Sequence, residues 1–77
     1  MEKGRVNVAA RVGRNITAQR ARLGITQAEA LRRAKVKGFY VGARTLSQWE
    51  TGVSAPSVTS LEKLAAAFCC SIADLVQ

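Results

Sequence analysis

Histidine is absent from the 77-residue chain, which has only two cysteines, one proline and five acidic residues. A zinc site needs four suitably spaced ligands, and the adjacent Cys69 and Cys70 cannot supply them. Neither thiol has an imidazole base for nucleophilic catalysis, and the acidic residues are scattered. We therefore expect no enzymatic activity, no cofactor or metal and no small-molecule ligand, and we expect free thiols in a reducing compartment.

Long apolar runs are also missing. The longest, "LAAAFCC" at positions 64–70, is far shorter than the roughly 20 residues of a membrane span. Met1 is followed by the charged residues Glu2 and Lys3 and not by the apolar stretch of a signal peptide. The length is that of one small domain. The sequence thus predicts a single domain over residues 1–77, located in the cytoplasm.

Positive charge is concentrated in one part of the chain. Residues 1–44 contain eleven Lys or Arg and two Glu, whereas residues 45–77 contain one basic residue, Lys63, and three acidic ones. Such segregation favours a polyanionic partner, with nucleic acid first and an anionic membrane surface second. The alternative, that these side chains only solvate helix surfaces, stays open at this point.

Capping residues divide the chain into five predicted helices and no strand, which is an all-α fold. The N-caps that the sequence offers are Asn7, Thr26, Ser57 and Ser71, and the stops are Gly24, Gly38 and Gly52. Thr26 with Glu29 has the spacing of a reciprocal capping box. In the second predicted helix, the apolar stripe that we expect to face the core consists of Ala28, Leu31 and Ala34, and whether Val36 extends it stays open.

The segment "GFYV" at positions 38–41 connects the second predicted helix to the third. We expect Val41 to enter the core. Of the two aromatic residues, Phe39 and Tyr40, we expect one to cover the core and leave open whether the other contacts a DNA backbone.

The third predicted helix, at about residues 43–51, has two faces of different character. Leu46 and Trp49 lie three residues apart and are expected to pack on the core. Arg44, Ser47 and Gln48 then face outward. These residue types suit the reading of base edges, since Arg pairs with guanine and Gln with adenine.

Four segments resemble a known family: "RARLGITQAEAL", "TLSQWETG", "APSVTSLEKLAAAF" and "SIADLV". In this order they are similar to the helix-turn-helix domain of the Cro/C1-type phage repressors and the related XRE-like bacterial regulators, over about residues 12–76. The resemblance implies a five-helix, lambda-repressor-like domain whose helix-turn-helix is formed by the second and third helices. It implies a sequence-specific transcriptional regulator that binds double-stranded DNA, and not a membrane, near the nucleoid of a bacterial or phage-infected cell.

The resemblance also implies roles for single residues. The third helix is expected in the major groove, with base contacts from Ala43, Arg44, Ser47 and Gln48. The predicted DNA backbone contacts, some of which rest on charge alone, are Thr26, Gln27, Arg32, Lys37, Tyr40, Thr45 and Ser54. An ion pair between Arg20 and Glu50 is expected to join the first helix to the third.

The sequence departs from the family pattern in two places. Ala30 precedes Leu31, where the usual order is leucine and then alanine. The segment from Gln27 to Gly52 is about five residues longer than in the short phage domains, as in some actinobacterial members. We interpret this as an extra turn on the second helix plus a longer connection, and it leaves open which of the residues 43–45 reaches a base.

A second class of function is a protein-interaction module, such as the antitoxin of a toxin–antitoxin pair that also binds DNA. Its acidic and apolar C-terminal half would bind the partner protein. A homodimer, if present, is expected to form through Phe68, Leu75 and Val76, or on DNA itself. Residues 1–5 are expected to be either a basic arm that reaches phosphates or a disordered tail.

Overall fold

Five helices make up the fold in a computed structural model that describes residues 7–77. They are α1 (Val8–Leu23), α2 (Gln27–Val36), α3 (Ala43–Glu50), α4 (Val58–Phe68) and α5 (Ile72–Val76). The described residues contain no strand, which confirms the all-α prediction. No helix among them is long and apolar enough to cross a membrane. The predicted basic arm at residues 1–5 lies outside the described residues.

The helix starts follow the predicted caps. Asn7 accepts a hydrogen bond from the Ala10 amide at 3.0 Å, and Ser57 caps α4 in the same way. Ser71 and Asp74 form a complete reciprocal capping box at α5. Each cap satisfies an amide that the first turn of a helix leaves without an intrahelical partner.

The reciprocal capping box predicted at α2 is only half formed. Thr26 Oγ1 accepts a hydrogen bond from the Glu29 amide at 3.1 Å. The Glu29 carboxylate is instead bound by two arginines, Arg32 at 2.6 Å and Arg33 at 3.2 Å. Two cations on the same helix face attract the carboxylate more strongly than one backbone amide does.

The core lies between the five helices, and every one of them contributes at least one buried residue to it. Its largest side chains that are less than 2% exposed are Phe68, Ile16, Leu46, Leu64 and Leu75. α1 packs on α3 and α5, and α2 packs on α4. The two helices of the predicted helix-turn-helix are therefore supported from different sides.

The predicted apolar stripe of α2 is wrong in part. The residues that α2 buries fully are Ala30 and Ala34, one turn apart, while Ala28 is exposed and Val36 is 77% exposed. α2 faces α4 through these two small side chains, which allow close approach of the helices. Leu31 is half-buried at the edge of this contact.

The predicted dimer surface at Phe68, Leu75 and Val76 is also wrong. Phe68 and Leu75 are both 0% exposed, because they pack inside the protein's own core. The α5 backbone is held as well, since Asn15 Nδ2 donates to the Leu75 carbonyl at 2.9 Å. Val76 is half-buried, so it is the one residue of this set with apolar surface accessible to a second copy.

The connection between α2 and α3 covers residues 37–42. It turns at Gly38, whose φ of 82° lies in the left-handed region that favours glycine. Phe39 then stacks on Trp49 with 6.4 Å between ring centroids, so Phe39 is the aromatic residue that covers the core. Val41 is half-buried against the core, while Tyr40 is 72% exposed.

The two adjacent cysteines are free thiols. Cys69 is exposed and ends α4 with a φ of 55°. Cys70 is half-buried, and burial, with a smaller contribution from the nearby Asp74 carboxylate, raises the pKa of its thiol. A raised pKa keeps the Cys70 thiol protonated and unreactive.

Candidate nucleic-acid interface

Helix α3 is fixed to the domain along one side. Leu46 is 1% and Trp49 is 7% exposed. Across from them, Gly13 of α1 lies directly against the backbone carbonyls of Trp49 and Glu50. The absence of a side chain at Gly13 lets α1 and α3 approach backbone to backbone, and this contact sets the position of α3.

An ion pair adds a second connection between α1 and α3. Arg20 Nε donates to Glu50 Oε2 at 2.6 Å, and Arg20 Nη2 donates to Glu50 Oε1 at 2.7 Å. This two-bonded geometry is the strong form of an arginine–carboxylate pair. The Glu50 side chain is 6% exposed. The structure therefore contains the Arg20–Glu50 pair that the family resemblance implied.

Two further side chains complete the environment of Glu50. Thr17 Oγ1 and Gln27 Nε2 each donate to Glu50 Oε1 at 3.1 Å. Burial raises the pKa of the Glu50 carboxyl, but the hydrogen bonds from Arg20 and Gln27 and the Arg20 charge outweigh it, so the pKa lies below its usual value. Glu50 thus stays ionised and joins α1, α2 and α3 at one point.

Gln27 occupies a defined place in this arrangement. As the first residue of α2, it was predicted to bind a DNA phosphate. Its carboxamide nitrogen is bound to Glu50 in the free protein, which places the start of α2 beside the last turn of α3. The neighbouring Thr26 is the N-cap of α2 and is exposed. Both residues therefore lie at a helix N-terminus, where the backbone dipole favours an anion.

The other side of α3 faces away from the core. Ala43 and Arg44 are exposed, and Thr45, Ser47 and Gln48 are half-buried. Within residues 7–77, the Arg44 guanidinium and the Gln48 carboxamide form no hydrogen bond. One short helix therefore contains the four predicted base contacts, Ala43, Arg44, Ser47 and Gln48. Its two long polar side chains are not held by the described residues.

The loop after α3 continues this surface. The amides of Val53 and Ser54 donate to the Gln48 carbonyl at 3.0 and 3.3 Å. Ser54 is exposed, and this bonding holds it at the C-terminal end of α3. The predicted backbone contacts Thr26, Gln27 and Ser54 are accordingly brought to one end of the helix.

The remaining predicted contacts lie on α2 and the connection. Arg32 is bound to Glu29 at 2.6 Å, and Lys37 is the exposed C-cap of α2. The Tyr40 ring lies under the Lys35 ammonium, 5.9 Å from its centroid. Arg32 and Tyr40 line one concave surface together with Lys35.

Sequence reasoning missed Gly13, Thr17 and Lys35. A glycine inside a helical pattern costs about 1 kcal/mol relative to alanine, and this cost was the available signal that Gly13 serves a close contact. Thr17 and Lys35 carried no comparable signal, because their partners Glu50 and Tyr40 are brought to them only by the tertiary fold.

Helix α3 has one buried side and one polar side that faces outward, and α2 precedes it across a short connection. This arrangement of two helices defines a helix-turn-helix domain. A family model described as "Helix-turn-helix" matches residues 16–75 of the chain. The chain belongs to this family, of the Cro/C1-type and XRE-like kind. Members are DNA-binding regulators. No curated protein and no solved structure matched the chain.

Proposed function

We propose that the protein is a sequence-specific transcriptional regulator of double-stranded DNA that places α3 in the major groove. The observation that carries this proposal is the division of α3 into two sides. Leu46 and Trp49 are buried and Glu50 is held in an ion pair, whereas the side chains of Arg44 and Gln48 form no hydrogen bond with any of the described residues 7–77. A polar helix side held rigidly outward fits a base-pair edge.

Each outward residue of α3 has a chemical role in this proposal. Arg44 reads the O6 and N7 acceptors of guanine, and Gln48 reads the N6 and N7 pattern of adenine. Ser47 donates to or accepts from either base type, and Ala43 contacts a thymine methyl group. Each two-bonded contact contributes about 1 to 3 kcal/mol of discrimination against the wrong base.

Backbone contacts fix the register of the helix on the duplex. Thr26 and Gln27 present the N-terminus of α2 to a phosphate, and Gln27 exchanges its bond to Glu50 for one to the phosphate oxygen. Thr45 and Ser54 bind phosphates beside the two ends of α3, and Lys37 supplies a flanking charge. The backbone contacts predicted for Arg32 and Tyr40 stay predictions, and the Arg32 guanidinium would have to leave Glu29 to make one.

Regulation then follows from occupancy. A domain bound across a promoter excludes RNA polymerase, and one bound beside it recruits the polymerase. The excess of basic residues before position 45 predicts that binding weakens steeply with salt, because each neutralised phosphate releases counterions.

Selection of bound fragments from random duplex DNA, followed by fluorescence anisotropy on the selected site, tests the proposal. We expect affinity for the selected site to exceed that for random duplex by roughly 1,000-fold or more. Footprinting of two half-sites about 10 base pairs apart, centre to centre, would establish binding as a symmetric dimer. Equal affinity for selected and random DNA would rule out sequence reading by α3.

The matched pair of variants for this experiment is Arg44→Ala and Lys63→Ala. Both remove one exposed basic side chain, but Lys63 lies on α4, outside the proposed surface. We expect Arg44→Ala to reduce discrimination and Lys63→Ala to leave it unchanged. Equal effects would show that only net charge matters.

A further inference from the structure

A groove of about 330 Å³ lies between α2 and the connection that follows it. It is lined by Leu31, Arg32, Lys35, Tyr40 and Val41. Three of these residues come from α2, and two come from the connection between α2 and α3. The connection therefore builds one wall of a concavity at the low end of the range of roughly 300 to 1,000 Å³ that ligand sites occupy.

The groove combines an apolar floor with a basic rim. Leu31 and Val41 are half-buried and present aliphatic carbon to its interior. The rim carries the Lys35 ammonium, and Tyr40 is 72% exposed beside it. Between residues 27 and 42 there are four basic residues and one acidic residue, Glu29.

We propose that this groove binds a short acidic peptide segment of a partner protein through one large apolar side chain, flanked by carboxylates. The apolar side chain packs on Leu31 and Val41 against the face of Tyr40. The carboxylates pair with Lys35 and with the net positive charge of α2. This activity is separate from the DNA binding proposed for α3 and does not depend on it.

The composition of the groove favours a peptide over DNA backbone. A phosphate gains nothing from the aliphatic floor that Leu31 and Val41 form. One of the two cations that line the groove, Arg32, is already bound to Glu29 at 2.6 Å. An exposed aromatic ring beside a lysine, above an apolar floor, is the kind of anchor pocket that protein interfaces use.

The test is a titration of the ¹⁵N-labelled full chain with a capped six-residue peptide that contains one phenylalanine among aspartates and glutamates, at about 150 mM salt. We expect saturable shifts of the amides of Leu31, Lys35 and Val41. Two control peptides replace the phenylalanine by serine or the acids by their amides, and each is expected to bind at least about tenfold more weakly.

Three variants locate the site. Lys35→Glu reverses an exposed charge on the rim, and Lys63→Glu makes the same change on α4. We expect at least about tenfold weaker binding of the acidic peptide by the first variant and no change by the second. Tyr40→Ala, which removes a side chain that is 72% exposed, is expected to weaken binding as well.

Three results would overturn the proposal. One is the absence of saturable shifts, and a second is equal binding of the serine peptide, which would reduce the interaction to general charge attraction. The third is displacement of the peptide by the DNA site selected above, together with weaker DNA binding by Tyr40→Ala, which would assign the groove to the DNA interface. Failure of α3 to read DNA sequence would leave the peptide result intact, so the two proposals fail separately.

Discussion

Gly13 and Trp49 are in backbone contact, and this contact leaves no room for a side chain. A Cβ atom built on Gly13 overlaps the Trp49 carbonyl oxygen and lies 2.7 Å from the carbonyl oxygen of Glu50. Neither neighbour is a flexible side chain that moves aside. The crossing of α1 and α3 therefore depends on glycine at this position.

Gly13→Ala is expected to lower the free energy of unfolding by about 3 kcal/mol, because α1 and α3 must separate to admit the methyl group. Urea unfolding followed by Trp49 fluorescence measures the change. Gly42→Ala is the matched control, since a Cβ there meets nothing within 4 Å, and its expected effect is within about 1 kcal/mol of zero. Equal stabilities of the two variants would show that the α1–α3 contact is loose.

Glu50→Gln is expected to change how stability depends on pH. The pKa of Glu50 lies below its usual value in the folded protein, so its contribution to stability is fully present above the usual value of about 4.3 and is lost as the pH falls through the folded value. We expect the variant to be less stable at pH 7 and to lose less stability on acidification.

Glu62→Gln is the matched control for Glu50, because Glu62 is exposed on α4. Some dependence on pH remains in the Glu50 variant, since hydrogen bonds from Arg32 and Arg33 also lower the pKa of Glu29. Urea unfolding between pH 3 and pH 7, the range around the usual value of about 4.3, checks the difference. Identical pH profiles for Glu50→Gln and the native protein would mean that the Arg20 pair does not persist in solution.

Gln48→Ala is expected to reduce affinity for the selected DNA site by about 1 to 3 kcal/mol while leaving affinity for random duplex nearly unchanged. The side chain that is removed forms no hydrogen bond within residues 7–77, so the domain itself should keep its stability. Anisotropy with both duplexes at one salt concentration measures the two affinities. An equal loss of affinity for both duplexes would show that Gln48 contacts the DNA backbone and not a base.

Cys69→Gly is expected to raise the free energy of unfolding by about 0.5 to 1 kcal/mol. Cys69 has a φ of 55°, and among the described residues it is the one non-glycine with positive φ. Glycine adopts this left-handed conformation at a helix end without the steric cost that a Cβ imposes. Cys69→Ala, which keeps the Cβ, is the control and should not gain this stability in thermal unfolding.

The sequence predicted those parts of the fold that depend on neighbouring residues. The caps at Asn7, Ser57 and Ser71 form as expected, because a cap and its amide lie within one turn of each other. Leu46 and Trp49 are also buried as their spacing predicted.

The predictions that failed depend on how helices meet. In the stripe expected on α2, Ala34 is buried as predicted, but Ala28 and Val36 are exposed and Ala30 is buried in their place, since the position of α4 decides which side of α2 is buried. Leu75, predicted to contact a second copy, fills the core instead. The apolar pattern of α2 is weak because most of its apolar residues are alanines, and α5 has only five residues. Neither pattern is strong enough to specify which face of the helix is buried.

The candidate site was predictable in composition but not in connectivity. The spacing of Leu46 and Trp49 predicts which polar residues of α3 face outward. The link from Gln27 to Glu50 and the groove against Tyr40 did not, because both require the path of the connection in space. That path depends on Gly38 and on the packing of Phe39.

The stacking of Phe39 on Trp49 has a practical consequence. Trp49 is the single tryptophan of the chain, and it lies on the buried side of the helix proposed to read DNA, in contact with the connection that forms one wall of the groove. Its emission is therefore an internal optical reporter. It can register a movement of α3 on DNA and a displacement of the connection by a peptide in the same unlabelled sample.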